Sequence, residues 1–540
     1  MKNQKIKKIV FLIMVLSVIA IGTFFRFWKL DSIPPGTQYD EAYYALDAIN
    51  AFENGDYKIF YTGNNGREGL FINIQALFFK FFGVNDFTFK AVGAFFGALT
   101  LVGFFFLIKE LRFAKLSILM GLFALSTSFW RLNFSRITFR AIMTPLVIVW
   151  VFYFFFKGIH HKKYGWIFVT ISGLLTGVGM HTYISFRVVP LVLIIVVLAY
   201  LILEKKDFVK KQWRNALIFF IACVVSATPI LFYFFTHQDD LVGRGNQVSI
   251  FNDPELPPLQ SFGKSLTYHI GSFFVFGDPN QRHNNQSLPL IPATWAILLL
   301  FGFALSLKEI FQTFLKNKKT DLFDASVLAQ GLFWVLMIPG VMSYEGIPHS
   351  LRIIGMIPAI FIFIAIPFDY LLRLYHKISL SENVSLKTWR YEITFISIIG
   401  TAFVVILSGI IQINSYFNDW AKNPETAEAF ERKSHDFGIL IRNIEIKENN
   451  YLVIPDYKKI SPNRKESDMK PAELRGYPNI KNFSFWFPFE ALKETSCENA
   501  LFLFFEADEE LVKQFEKKCP NLTAQTITPK NGLYEFWIMK

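Results

Sequence analysis

Apolar runs of about 15 to 22 residues recur between residues 9 and 413, most of them long enough to cross a hydrocarbon core of ~30 Å at about 1.5 Å per residue, the third and fourth being short. In order they predict helical spans over residues 9–28, 87–108, 116–130, 141–156, 164–180, 188–203, 216–235, 292–307, 322–342, 353–372 and 392–413, about eleven in all. The expected fold is a polytopic α-helical membrane protein. Gly173, Gly177 and Gly179 in one span resemble the small residues that let transmembrane helices approach closely.

The first run follows Lys2, Lys5, Lys7 and Lys8 and ends in Arg26, Phe27, Trp28 and Lys29, without the small-residue site at which a signal peptide is cleaved. It reads as a retained span. Residues 69–83 form an apolar segment of only about 15 residues that contains Lys80, too short for a comfortable crossing, so an interfacial or re-entrant helix is expected there. With the N-terminus inside and this segment not crossing, the basic connectors 109–115, 157–163, 204–214, 308–321 and 373–390 all fall on the cytoplasmic side, as lysine and arginine distribution requires. The polar island 31–68 and the C-terminus then lie outside.

Composition agrees with this class: 52% of residues are hydrophobic and 63 are Phe. The formal net charge of +12 is concentrated in short connectors, which argues for a membrane arrangement and against nucleic acid as the partner. From residue 414 the chain turns polar, giving a transmembrane domain over 1–413 and an extracytoplasmic soluble α/β domain over 414–540. The periodicity there predicts helices over 426–442 and 509–518 and strands over 451–454, 501–505 and 533–539. Its loop with Asp456, Lys458, Lys459, Arg464 and Lys465 reads as solvated. Cys223 sits in an apolar run, whereas Cys497 and Cys519 can pair if their domain faces an oxidising compartment. No cysteine and histidine spacing typical of zinc is present.

The candidate chemistry lies in the outer connectors. The polar island carries Asp40 and Glu41, then Arg67 and Glu68; later connectors add Arg131, Asn133, Arg136 and Arg140, then His181, Tyr183 and Arg187. Further on come Arg244, Gln247, Asp278, Arg282, His283, Asn284 and Asn285, and finally Glu345, His349 and Arg352. The planar guanidinium fork makes paired contacts to phosphate and keeps its charge when desolvated. Arg67, Arg136 and Arg140 are therefore candidates for a lipid-linked phosphate whose apolar tail stays in the bilayer. Glu68, His181, Tyr183, Arg187, Arg282, His283, His349 and Arg352 are candidate substrate or metal contacts. Asp40 heads an amphipathic segment and is the candidate general base for an acceptor hydroxyl, with Glu41 about 100° around the helix from it. Alternatively, Asp40, Glu41 and Glu68 can hold a hard divalent cation through oxygen.

Several motifs resemble one known group. The basic first span, Tyr39-Asp40-Glu41 in the first outer loop and Arg67-Glu68 opening a helix that ends Phe81-Phe82-Gly83 resemble the GT-C glycosyltransferases, in the branch holding protein O-mannosyltransferases and aminoarabinose transferases (glycosyltransferase family 39-like). Ser135-Arg136-Ile137-Thr138-Phe139-Arg140-Ala141 and Pro348-His349-Ser350-Leu351-Arg352 look like its bacterial members. The resemblance implies transfer of a sugar from a polyprenyl-phosphate donor to an acceptor hydroxyl of protein, lipid or glycan on the extracytoplasmic face of the cell membrane. It also implies a catalytic role for the acidic motif that falls on Asp40 and Glu41. The chain departs from the group where Gly69-Leu70 replaces His-Pro-Pro and where Arg140 and Ala141 replace an aspartate, so no metal is assigned. The rival reading is a polyprenyl-linked sugar flippase or lipid carrier.

Overall fold

Nine of the eleven predicted spans correspond to long apolar helices in the computed structural model, which describes residues 2–379, 384–455, 469–530 and 532–540; the other two, 116–130 and 164–180, fall on shorter helices. Asp456, Lys458, Lys459, Arg464 and Lys465 lie outside the described residues. The helices begin with α1 (Lys2–Phe27), α2 (Tyr39–Asn54), α3 (Leu70–Phe82), α4 (Asp86–Glu110), α5 (Lys115–Thr127), α6 (Phe129–Arg136), α7 (Met143–His160) and α8 (Gly165–Gly179). They continue with α9 (Val189–Glu204), α10 (Lys206–Thr236), α11 (Gln238–Val248), α12 (Pro258–Gly271), α13 (Ala293–Lys316), α14 (Phe323–Val341), α15 (Ile357–Ser379) and α16 (Val384–Asn414). Among the described residues, nine helices are long and apolar enough to cross a membrane, so the chain is a multi-pass membrane protein. α5 and α8, of 13 and 15 residues, are shorter than a full crossing. The run expected as one span over 116–130 breaks at Ser128, whose extended backbone (φ −58°, ψ 128°) separates α5 from α6. The reason is chemical: α6 carries Arg131, Asn133, Ser135 and Arg136, all fully buried in protein, a set that hydrocarbon cannot solvate.

Two compact units form. The first comprises Met1–Trp28, Tyr57–Ile74 and Lys90–Trp420. Its most enclosed helices are α7, α14 and the first half of α15, where Ile357–Phe368 are all buried. The expected glycine contact is present: a Cβ on Gly173 would meet the Phe219 carbonyl oxygen at 2.4 Å and one on Gly177 the Cys223 carbonyl oxygen at 2.3 Å, so only glycine lets α8 lie against α10. Gly179 instead faces the Phe186 ring.

The second unit joins Ala421–Lys540 to Lys29–Asp56 and Gln75–Phe89, and so is wider than the expected domain over 414–540. Its sheet contains β3 (Asn449–Val453), β4 (Ser484–Trp486), β5 (Ala500–Phe504), β6 (Ala524–Ile527) and β7 (Phe536–Met539), in the order β4-β3-β5-β7-β6. β3 runs parallel to β4 and β5, and β7 runs antiparallel to β5 and β6. Alternation along β5 sends Leu501 and Leu503 to the face covered by Phe437, Ile441 and Ala472, and Phe502 and Phe504 to the face covered by Ala491 and Phe515. The α/β layering matches the sequence reading, and the helix Glu509–Lys518 has the predicted bounds. β4 and β6 were not foreseen, being short or carrying polar Gln525 and Thr526. The segment around α2 is tied in by Arg475 and Arg442 on Asp86, by Lys481 and Tyr477 on Glu53, and by Thr37 on His435.

Cys497 and Cys519 form a disulfide. Denatured, unreduced protein should therefore take up one alkylating group, at Cys223, and three after reduction. Loss of this cross-link should cost about 3 kcal/mol of stability in its unit, the chain-entropy value for a loop of this size. Mass spectrometry and thermal melts of Cys497→Ser check the two outcomes.

Candidate active site

In the second unit, Gln38 caps α2. Its side-chain oxygen accepts from the backbone N–H groups of Asp40 and Glu41, while a Glu41 carboxylate oxygen accepts from the Gln38 N–H at 3.0 Å, a reciprocal capping box. Glu41 is fully buried and thereby engaged in holding the helix start. Asp40 is half-buried, and its Oδ2 accepts a 3.1 Å hydrogen bond from Gln38 Nε2. The two neighbouring carboxylates therefore have different surroundings, and only Asp40 retains exposure.

In the first unit, β1 (Phe60–Tyr61) and β2 (Arg67–Glu68) form a two-stranded hairpin that fixes Glu68. The buried Glu68 carboxylate accepts from Arg140 Nε at 2.8 Å and Arg187 Nη2 at 3.0 Å. Burial alone would raise its pKa, but the two guanidinium groups and their hydrogen bonds outweigh it and hold the carboxyl below its ordinary value. Arg140 also donates to the Gly66 carbonyl and lies 5.3 Å from the Tyr183 ring centre; Arg187 lies 4.7 Å from that of Phe234. Burial pushes the Tyr183 hydroxyl upward, with Arg140 and Arg352 acting in the opposite sense. Arg67 donates to the Gly63 carbonyl at 3.1 Å. His181, lowered by burial, contacts the Ser226 carbonyl at 3.1 Å.

A second group centres on Asp278, which the sequence places among many polar residues without distinguishing it. Its Oδ2 accepts from His283 Nδ1 at 3.0 Å and from both the backbone N–H and the hydroxyl of Ser350 at 2.8 Å. Burial would raise this carboxyl, but His283 and then His349 outweigh it and hold it well below the carboxylate range. The His283 and His349 rings lie 5.0 Å apart. Arg352, lowered by burial, donates to the Glu345 carbonyl at 2.5 Å and carboxylate at 3.2 Å and sits in electrostatic range of both His349 and Tyr183. Arg282 accepts at its carbonyl from Asn133 Nδ2 at 2.8 Å and donates from Nε to Asn280 Oδ1 at 3.2 Å.

For a metal, Asp278, His283 and His349 each offer a ligand atom, all within 4.8 Å of one another, and the buried His349 Nδ1 has no hydrogen-bond partner among the described residues. Two nitrogens and one oxygen suit a borderline ion with an open position. Asp278 Oδ2 already accepts three hydrogen bonds, however, so its present contacts serve first to orient His283. Asp40 and Glu41 belong to the other unit.

Arg136 makes a different set of contacts. It donates to the carbonyls of Phe25 and Arg26 at 2.7 and 3.1 Å and lies over the rings of Tyr416 and Phe417. Beside it, Arg26 and Arg131 are fully buried, each with two guanidinium nitrogens lacking a hydrogen-bond partner among the described residues. Their visible acceptors are neutral, the Gly22 and Ser126 carbonyls and the Thr100 hydroxyl. The sequence marked Arg26 only as part of the end of the first span.

No family model matches the chain, and no curated protein matches its sequence. Its fold does match solved structures. ArnT from Cupriavidus metallidurans bound to undecaprenyl phosphate aligns with a TM-score of 0.53 at 13% identity, covering 97% of this chain and 97% of that one. The apo state of that protein gives 0.50 at 12%, covering 99% and 98%. The apo oligosaccharyltransferase of Archaeoglobus fulgidus gives 0.50 at 13%, covering 86% of this chain and 64% of that one. The protein is thus a polytopic helical membrane protein with an added sheet unit. Its fold is that of ArnT and the archaeal oligosaccharyltransferase, the kind of fold the sequence resemblance implied.

Proposed function

We propose that the chain is an inverting membrane glycosyltransferase that moves a sugar from a polyprenyl-phosphate donor to an acceptor hydroxyl on the extracytoplasmic face. The observation that carries this reading is an arginine-rich, largely enclosed site at one end of an apolar helix bundle, in a fold that ArnT uses to bind undecaprenyl phosphate. Arg140, Arg187 and Arg352 are the proposed phosphate contacts, with Glu68 positioning the first two forks. The excess of buried positive charge at Arg26 and Arg131 favours an anion nearby.

Asp40 is the proposed general base. It takes the acceptor proton, the acceptor oxygen bonds to the anomeric carbon, and the bond from that carbon to the lipid phosphate breaks, releasing polyprenyl phosphate with inversion. The helix N-terminus under Asp40 favours an anionic side chain. For sidedness, the Cys497–Cys519 disulfide is of the kind that persists in oxidising compartments.

Arg187→Gln removes one charge-assisted contact, a change of roughly 1.5–3 kcal/mol, or at least tenfold in affinity. Titration of undecaprenyl phosphate into wild type and variant in lipid nanodiscs should show that loss; equal affinities would remove Arg187 from the phosphate site.

A further inference from the structure

The carboxyl end of β5 opens into a cavity of about 470 Å³ that the transfer reaction does not use. It is formed where β5 turns into the helix Glu509–Lys518 and where β6 and β7 end beside it. The register sets Phe504, Trp537 and Thr526 in one cross-strand row; Phe504 is buried against Phe515, so the half-buried Trp537 and the Thr526 hydroxyl are the members of that row at the opening. Among the described residues, Glu506, Asp508 and Glu535 supply three carboxylates against one cation, Lys433. That cation is already paired: Lys433 Nζ lies 2.7 Å from Glu506 Oε1 and 5.0 Å from the Phe505 ring centre. The ligand this lining fits must therefore offer hydroxyl or amino donors to Asp508 and Glu535 and an apolar face to Trp537. Phosphates and uronic acids fail the charge condition, because two unneutralised carboxylates meet them. Neutral and amino pyranoses satisfy both conditions, having equatorial hydroxyls at the rim and C–H faces above and below.

We propose that this cavity is a carbohydrate-binding site for a neutral or amino sugar, built into the sheet unit. It rests on no part of the transferase reading.

The test is saturation-transfer NMR on the full-length protein in nanodiscs, using methyl glycosides of glucose, glucosamine and glucuronic acid as probes. The expected result is saturable binding of the glucoside and glucosaminide, with the glucuronide at least tenfold weaker. Trp537→Ala should weaken binding at least tenfold. Because Trp537 also packs against the core, a second variant guards against misfolding: Asp508→Asn with Glu535→Gln, both solvent-facing, with Asn still able to cap the following helix. That double variant should weaken the glucosaminide at least tenfold with an unchanged melting temperature. No saturable binding by wild type, a preference for the glucuronide, or full affinity in the double variant would each overturn the proposal. Loss of transferase activity in Asp40→Asn, with glycoside binding intact, keeps the two readings separate.

Discussion

Asp40→Asn is expected to lose 10² to 10⁴ of the transfer rate, roughly the contribution of a positioned general base, with little change in stability. The substitution keeps the shape of the side chain, and the capping box is untouched because it is made by Gln38 and Glu41. The informative partner is Glu41→Gln. Gln still fills the last position of a capping box, so this variant should cost at most about 1 kcal/mol and leave most of the activity. If both variants turn over normally, the catalytic role implied by the acidic pair is lost. If Glu41→Gln alone is inactive, the roles are reversed. Turnover and melting temperature measured side by side distinguish these outcomes.

Glu68→Gln should produce the largest loss of stability in the first unit. It leaves two partly enclosed guanidinium groups without their carboxylate, and removing one partner of a buried pair costs about 3–5 kcal/mol. Arg140 and Arg187 retain 12% and 23% side-chain exposure, so the lower figure applies. The pH dependence has a definite sign. The folded Glu68 carboxyl lies below its ordinary 4.5, so its contribution is fully present above that value and is lost as pH falls through the folded value. The melting-temperature gap between wild type and Glu68→Gln should therefore be wide at pH 7 and close in acid. A gap that stays constant down to pH 3 would contradict the ion-pair account.

The helices were the legible part of this chain because hydrophobic length speaks directly to a bilayer. Nine of the eleven predicted spans coincide with a long apolar helix, and the segment at 69–83 holds a 13-residue helix too short to cross. The break between α5 and α6 was not legible, since Ser128 brings neither proline nor glycine to mark it. The capping role of Glu41 was hidden because Gln38 is not among the residue types preferred at that position. In the site, Arg140, Arg187, Glu68, Tyr183, His283, His349 and Arg352 were all chosen from charge and membrane side; the structure pairs Glu68 with Arg140 and Arg187, sets Arg140 over Tyr183, and sets the His283 ring 5.0 Å from that of His349. Asp278 escaped because its partners His283 and Ser350 lie in different connectors, and only folding shows that its carboxylate organises both. Arg26 was missed for the opposite reason: it belongs to a span end, where an arginine ordinarily reaches for headgroups, and its burial comes from packing.

The central claim is tested most directly by incubating the purified protein in lipid with a panel of polyprenyl-phosphate sugars and following release of the lipid phosphate in wild type and Asp40→Asn. The account predicts that one donor is consumed by wild type, with an inverted product, and that Asp40→Asn leaves it intact. Donors that cross the bilayer chemically unchanged, equally in both proteins, would contradict it and identify a lipid carrier.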